Sequence, residues 1–157
     1  IRVRWCETIA GRNPATAGLK TLCRLEQVLA RAEWQDGAIT EGFMCDEQGQ
    51  LVGGTSSNVF IVSGGRLLTP AISHAGISGV MRRVILQQAS VSAIESHEVS
   101  LTKADVLAAD EVFVSNALTG IRPVGQLGER QWKPGPVSCE LAARLANKGV
   151  DECAGSC

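Results

Sequence analysis

The spacing of apolar positions changes repeatedly along the chain, and each change predicts an element. Arg2, Val3, Arg4 and Trp5 alternate in polarity, which predicts a strand over residues 2–8, ended by Gly11-Arg12-Asn13-Pro14. Leu22, Leu25, Val28 and Leu29 then recur at helical spacing between Arg24, Glu26, Gln27 and Arg31, which predicts an amphipathic helix running to about Trp34. Two hairpins follow. One joins 42–45 to 51–52 across Asp46-Glu47-Gln48-Gly49, and the other joins 59–62 to 66–69 across Ser63-Gly64-Gly65. A helix over 80–89, a strand over 92–99 and a short helix over 101–108 capped by Thr102 come next. A buried strand over 111–115, an extended segment over 121–124 and a last helix over 138–147 complete the pattern. Helices and strands are mixed in this reading, with hairpins rather than regular βαβ units. The expectation is therefore an α+β (mixed α/β) domain, single over residues 1–157, with no repeat or internal boundary.

Composition narrows the partners. The formal charge is -1, aromatics make up 4% and Tyr is absent, while Arg2, Arg4, Arg82, Arg83 and Arg122 form no basic stripe. That argues against nucleic-acid binding, which needs a basic track or stacking platforms. No apolar run approaches membrane-spanning length, so no membrane partner is expected. Six cysteines are too sparse for a disulfide scaffold, and the chain opens on a strand pattern rather than a signal peptide. Reduced thiols and a cytoplasmic location are the expectation. Cys153 and Cys157 could pair or hold metal, but they sit in a Gly/Ser-rich tail without a neighbouring histidine, which favours a frayed terminus.

Candidate chemistry starts at Lys20, between a small-residue turn and the first helical segment. An amine is nucleophilic only when neutral, and the flanking Leu19 and Leu22 offer an apolar setting that would favour that form. The alternative is an exposed lysine at a helix start. Gly76-Ile77-Ser78-Gly79 opens a helix, a place where backbone N–H groups hold phosphate, although an ordinary capped helix looks the same. Thr55, Ser56, Ser57 and Asn58 add hydroxyls and an amide, and Ser115-Asn116-Ala117-Leu118-Thr119-Gly120 is a further turn. A lysine followed by donor-rich turns in this order suggests a Schiff-base lysine and a phosphate cradle, the requirements of pyridoxal phosphate chemistry.

The segments AGLKTLCRLEQVLARAE, GGTSSNVF, LLTPAISHAGISGVMRRVIL and ADEVFVSNALTGIRPV, in that order, resemble the C-terminal, cofactor-binding domain of aminodeoxychorismate lyases. These are members of the fold-type IV pyridoxal 5'-phosphate enzymes, with the D-amino-acid and branched-chain aminotransferases. The resemblance implies that Lys20 binds the cofactor covalently and shuttles protons. It implies that Ile77 and Ser78 hold the phosphate, that Asn116, Ala117 and Leu118 form a second loop near phosphate and substrate, and that Asn58 closes the hydroxyl-rich turn. It further implies a small-molecule substrate, aminodeoxychorismate, converted to 4-aminobenzoate and pyruvate for folate synthesis, and a homodimer.

Two departures are visible. The family has a glutamate five residues before the position of Asn58, where it pairs with the pyridine nitrogen; here that residue is Gly53. Glu41 and Glu111 are the carboxylates the sequence offers in its place, and Cys23 replaces a family asparagine. The family also has an N-terminal domain that this sequence does not match. The expectation is a truncated, catalytically impaired lyase-like protein. A non-catalytic binding or assembly module of the same fold, and an aminotransferase acting on D- or branched-chain amino acids, are the alternatives.

Overall fold

Strand pairing sorts the extended segments into two five-stranded sheets within a computed structural model that describes residues 1–153. In chain order the elements begin with β1 (Arg2–Trp5), α1 (Leu25–Ala32), β2 (Ile39–Cys45), β3 (Leu51–Gly54), β4 (Asn58–Ser63) and β5 (Arg66–Pro70). They continue with α2 (Val80–Val91), β6 (Ser96–Val99), α3 (Lys103–Ala108), β7 (Glu111–Asn116) and β8 (Gly120–Pro123). β9 (Gln126–Leu127), β10 (Arg130–Gln131), α4 (Pro136–Ala146) and a 3-10 turn, Asp151–Cys153, follow. The first sheet has the order β10-β9-β1-β2-β3 and the second β6-β5-β4-β7-β8.

Alternation along the strands builds the layers. Val59 and Ile61 of β4, with Val112 and Val114 of β7, pack against Val3, Phe43 and Leu51 of the first sheet. The residues between them, Phe60, Val62 and Phe113, face the other way and pack against Ile85 and Ala89 of α2 and Leu141 and Leu145 of α4. The outer face of the first sheet carries a smaller cluster of Cys6, Ala10, Ala30, Trp34 and Met44 beneath α1. The order is helix, sheet, sheet, helices.

Both predicted hairpins form, pairing Cys45 with Leu51 and Ser63 with Arg66. The fold adds what local patterning omitted. β1 pairs in parallel with β2 across α1, and β5 in parallel with β6 across α2, so two crossover units accompany the hairpins. The expected first strand is shorter, and the strand over 92–99 contracts to β6 because residues 92–94 close the end of α2. Thr102 caps α3 as expected, in a reciprocal capping box with Asp105. Cys6, Cys23, Cys45 and Cys153 are free thiols, whereas Cys139 is disulfide-bonded, which corrects the expectation of uniformly reduced cysteines. Cys153 is not frayed: it is buried and its Sγ accepts the Ile121 N–H at 3.3 Å. Cys157 lies outside the described residues.

Candidate functional site

Short bridges bring the segments singled out in the sequence to one end of the second sheet. Gly18, two residues before Lys20, donates its N–H to Gly76 O at 2.9 Å and accepts from Ser78 N–H at 3.0 Å. The two chains lie side by side only because Gly18 and Gly76 take φ of +85° and +94°, where a side chain is strained. Asn58 donates from Nδ2 to Ile77 O at 2.8 Å, fixing the hydroxyl-rich turn to the same place. Gly79 makes this possible, since a Cβ there would collide with Asn58 Oδ1. Asn58 pairs with Ser115 across β4 and β7, and Asn116 Nδ2 reaches Ser56 O at 3.4 Å. The Lys20 segment, the Asn58 turn, the Ile77-Ser78 turn and the Asn116 loop are thus one connected unit.

Donors for an anion are arranged unevenly in it. Ser78 N–H is taken by Gly18 and Gly79 N–H by Ile77 O. Ile77 N–H and the Ser78 hydroxyl make no hydrogen bond among the described residues, and α2 starts at Gly79 with no side-chain cap. Its first N–H groups therefore remain open to a ligand. Asn116 Oδ1 accepts from Leu118 N–H, Thr119 N–H and the Thr119 hydroxyl, so Leu118 N–H is already occupied and Ala117 N–H is the free donor of that loop.

The sequence reading placed Ser115 at the start of the second turn but gave it no role. It is fully buried and its Oγ has no hydrogen-bond partner among the described residues. As the partner of Asn58 in an antiparallel pair, it lies on the same sheet face as Asn58. Ser115 thus offers an orphaned buried hydroxyl on the face of the sheet that carries Asn58, and Ile77 N–H, the Ser78 hydroxyl and the first turn of α2 offer unspent donors. These residues fit the phosphate end of pyridoxal phosphate. At the aldehyde end, Lys20 is exposed and makes no hydrogen bond among the described residues, and its neighbours Leu19 and Leu22 are 58% and 102% exposed. The apolar setting expected around the amine is therefore not supplied by the chain's own fold. Cys23 is exposed too and touches nothing that assigns it a role.

The fit ends at Gly53. Neither proposed substitute is available there. Glu111 is buried at the start of α4, where its two oxygens accept Val137 N–H and Ser138 N–H at 3.0 and 2.8 Å. Glu41 is 4% exposed and accepts hydrogen bonds from Gly42 and from the Thr55-Ser56-Ser57 turn. Among the described residues no group of His, Cys, Asp and Glu is placed to hold a metal ion, and no helix is long and apolar enough to cross a membrane.

Architecture and site together define the cofactor-binding domain of a fold-type IV protein. A profile of the family described as amino-transferase class IV matches residues 3–127, and the chain belongs to that family. It is 35% identical over 119 residues to an aminodeoxychorismate lyase of Vibrio harveyi, covering 76% of this chain and 44% of that protein. The crystal structure of 4-amino-4-deoxychorismate lyase from Pseudomonas aeruginosa superposes with a TM-score of 0.91 at 39% identity, covering 94% of this chain and 54% of that one. A branched-chain aminotransferase from Thermobaculum terrenum, solved in its PLP-form, shares the fold alone, with a TM-score of 0.85 at 22% identity over 95% of this chain and 50% of that one. The chain spans about half the length of the relatives it matches.

Proposed function

We propose that this chain is the cofactor-binding half of a lyase of the aminodeoxychorismate type, with pyridoxal phosphate as cofactor and Lys20 as its reacting amine. The observation that carries this is the connection of the four motifs through Gly18, Asn58 and Asn116. When bound, the cofactor supplies an aldehyde for amines and a ring that withdraws electrons. Ile77 N–H, the Ser78 hydroxyl and the start of α2 would hold its phosphate. Lys20 Nζ is the amine that would hold the cofactor at its aldehyde and, when free, would take and return a substrate proton. A neutral amine needs cover that Leu19 and Leu22 do not provide in the chain alone. A complementary half and a second subunit of a cytoplasmic homodimer would provide it, and the exposed apolar face of α1 is the surface they would meet.

Gly53 has no side chain to keep a proton on the ring nitrogen, and Glu41 and Glu111 are committed to other donors. Turnover by the chain as it stands is therefore weak. The same observation favours one second reading, a non-catalytic module of this fold. The experiment is an assay of 4-aminobenzoate release by the chain and by Gly53→Glu, each with the complementary half of the Pseudomonas lyase supplied, and with amino transfer to a keto acid followed in parallel. The proposal predicts release that rises with Gly53→Glu. A Cβ at Gly53 meets only Ser57 O, at 3.2 Å, so the turn must give by a few tenths of an ångström to admit it. No absorbance from bound cofactor in either protein would favour the non-catalytic module, and transfer without release would make the protein an aminotransferase.

A further inference from the structure

Glu41 is a buried carboxylate that pairs with no Lys, Arg or His among the described residues. A buried charge without a counter-ion persists only where dipoles surround it. Here Oε1 accepts Gly42 N–H, Thr55 N–H and the Thr55 hydroxyl at 2.9, 2.9 and 2.5 Å. Oε2 accepts Ser56 N–H and the hydroxyls of Ser56 and Ser57 at 3.2, 2.8 and 2.8 Å. The turn between β3 and β4 is wrapped round one side chain, and Gly54 leaves the room for it, since a Cβ there would strike Ser57 Oγ and the Glu41 carboxyl.

We infer that Glu41 is the positioning residue of the candidate site: its carboxylate folds the 55–57 turn and so fixes Asn58 against Ile77 and Ser56 against Asn116. The inference rests on the functional reading above for its ligand, and on the hydrogen bonds alone for its structural part. It has a chemical consequence. Each hydroxyl has one proton, and all three protons are spent on Glu41, so toward a ligand these three hydroxyls can only accept. They suit a donor on the cofactor or substrate rather than the phosphate, which is left to backbone N–H groups and the Ser78 hydroxyl.

The test compares wild type, Glu41→Gln, Glu41→Asp and Ser57→Ala, each full-length. Amide hydrogen exchange is measured at Thr55 and Ser56, with Val59 to Ile61 of β4 as internal reference, and pyridoxal phosphate affinity is measured by absorbance with the complementary half present. Glu41→Gln puts N–H groups where acceptors are needed. It should speed exchange at Ser56 and weaken cofactor binding, each by at least about tenfold, since a hydrogen bond to a charged group is lost, and speed Thr55 by less, because its N–H keeps Gly42 O at 3.0 Å. β4 should be unchanged, Glu41→Asp should recover part of the loss and Ser57→Ala should move the same way by less. If Glu41→Gln unfolds β4 as well, Ser57→Ala decides. Turn amides that exchange as in wild type overturn the inference, and so does a loosened turn with wild-type cofactor affinity. A wild-type protein that takes no cofactor sinks the functional reading and Glu41's role toward a ligand, while the exchange arm still decides whether Glu41 holds the turn.

Discussion

Helices α1 and α4 carry comparable apolar content and end up in opposite surroundings. α4 buries Leu141, Ala142 and Leu145 against the second sheet, and Glu111 accepts the N–H groups of Val137 and Ser138 at its start. α1 buries only Ala30, while Leu25, Val28 and Leu29 are 65%, 61% and 53% exposed. The apolar face of α4 is consumed by the chain's own core. That of α1 is not, and Lys20 lies in the segment that leads into it. A strongly patterned helix with its apolar face exposed is the surface that the proposed partner would meet, and it adjoins Lys20, the proposed reacting amine.

The largest expected effect is in α4. Leu145→Ala should cost about 2–5 kcal/mol in denaturant unfolding, because a fully buried side chain leaves a cavity. Leu25→Ala in α1 should stay within about 0.5 kcal/mol in the isolated chain. Equal costs would mean that α1 is covered in solution and would break the contrast. Next in size, Glu111→Ala should cost about 1–3 kcal/mol by leaving Val137 and Ser138 N–H groups unpaired, measured in the same way. On α1 the matching change is in association: replacing Leu25, Val28 and Leu29 by Ser should abolish self-association in sedimentation equilibrium without lowering stability.

Most of the architecture was legible in the sequence, because strand alternation and helical spacing are local. The hairpins, α3 with its Thr102 cap and the helices after Gly79 and Pro134 follow from nearby residues. The parallel pairings β1–β2 and β5–β6 depend on partners far along the chain, so no local pattern discloses them. The helical spacing of Leu22 suggested an earlier helix start. α1 begins at Leu25, with Arg24 at its N-cap, and Leu22 has nothing to pack against. At the site, Lys20, Asn58, Ile77, Ser78 and Asn116 could be named from motifs. Ser115 was named only as the start of a turn and Glu41 only as a substitute for the missing glutamate; their places show only through a buried hydroxyl without a partner among the described residues and through the donors around a carboxylate. Buried Glu in an alternating strand is an available signal for Glu41, but it does not say what the carboxylate holds.

Smaller effects concern how α1 is anchored. Burial works against ionisation of Glu33, but hydrogen bonds from the Thr8 hydroxyl and the Glu7 and Thr8 N–H groups, with Arg4 nearby, hold its carboxyl below the ordinary 4.5. A depressed carboxyl contributes stability that is present above its unfolded value and lost as pH falls through the folded one. Exchange protection at Glu7 and Thr8 should therefore weaken as pH drops below 4.5, before that of α4. Unchanged protection there would detach Glu33 from the anchoring of α1. The smallest effect is on thiols. Burial, with Glu33 next in weight, pushes Cys6 up to about 12 from 9.0, whereas Cys23 is exposed. A thiol reagent near pH 8 should label Cys23 well ahead of Cys6, and equal rates would mean that the layer beneath α1 is open.

The central claim, that Lys20 is the cofactor lysine beside an uncovered docking face, is tested most directly by borohydride trapping. The chain, with the complementary half supplied, is mixed with pyridoxal phosphate, reduced and mapped by peptide mass. The chain has four lysines, at 20, 103, 133 and 148. The account predicts the reduced adduct on Lys20 of this chain, with little elsewhere. An adduct on Lys103, Lys133 or Lys148 in preference to Lys20, or no adduct at all, would contradict it.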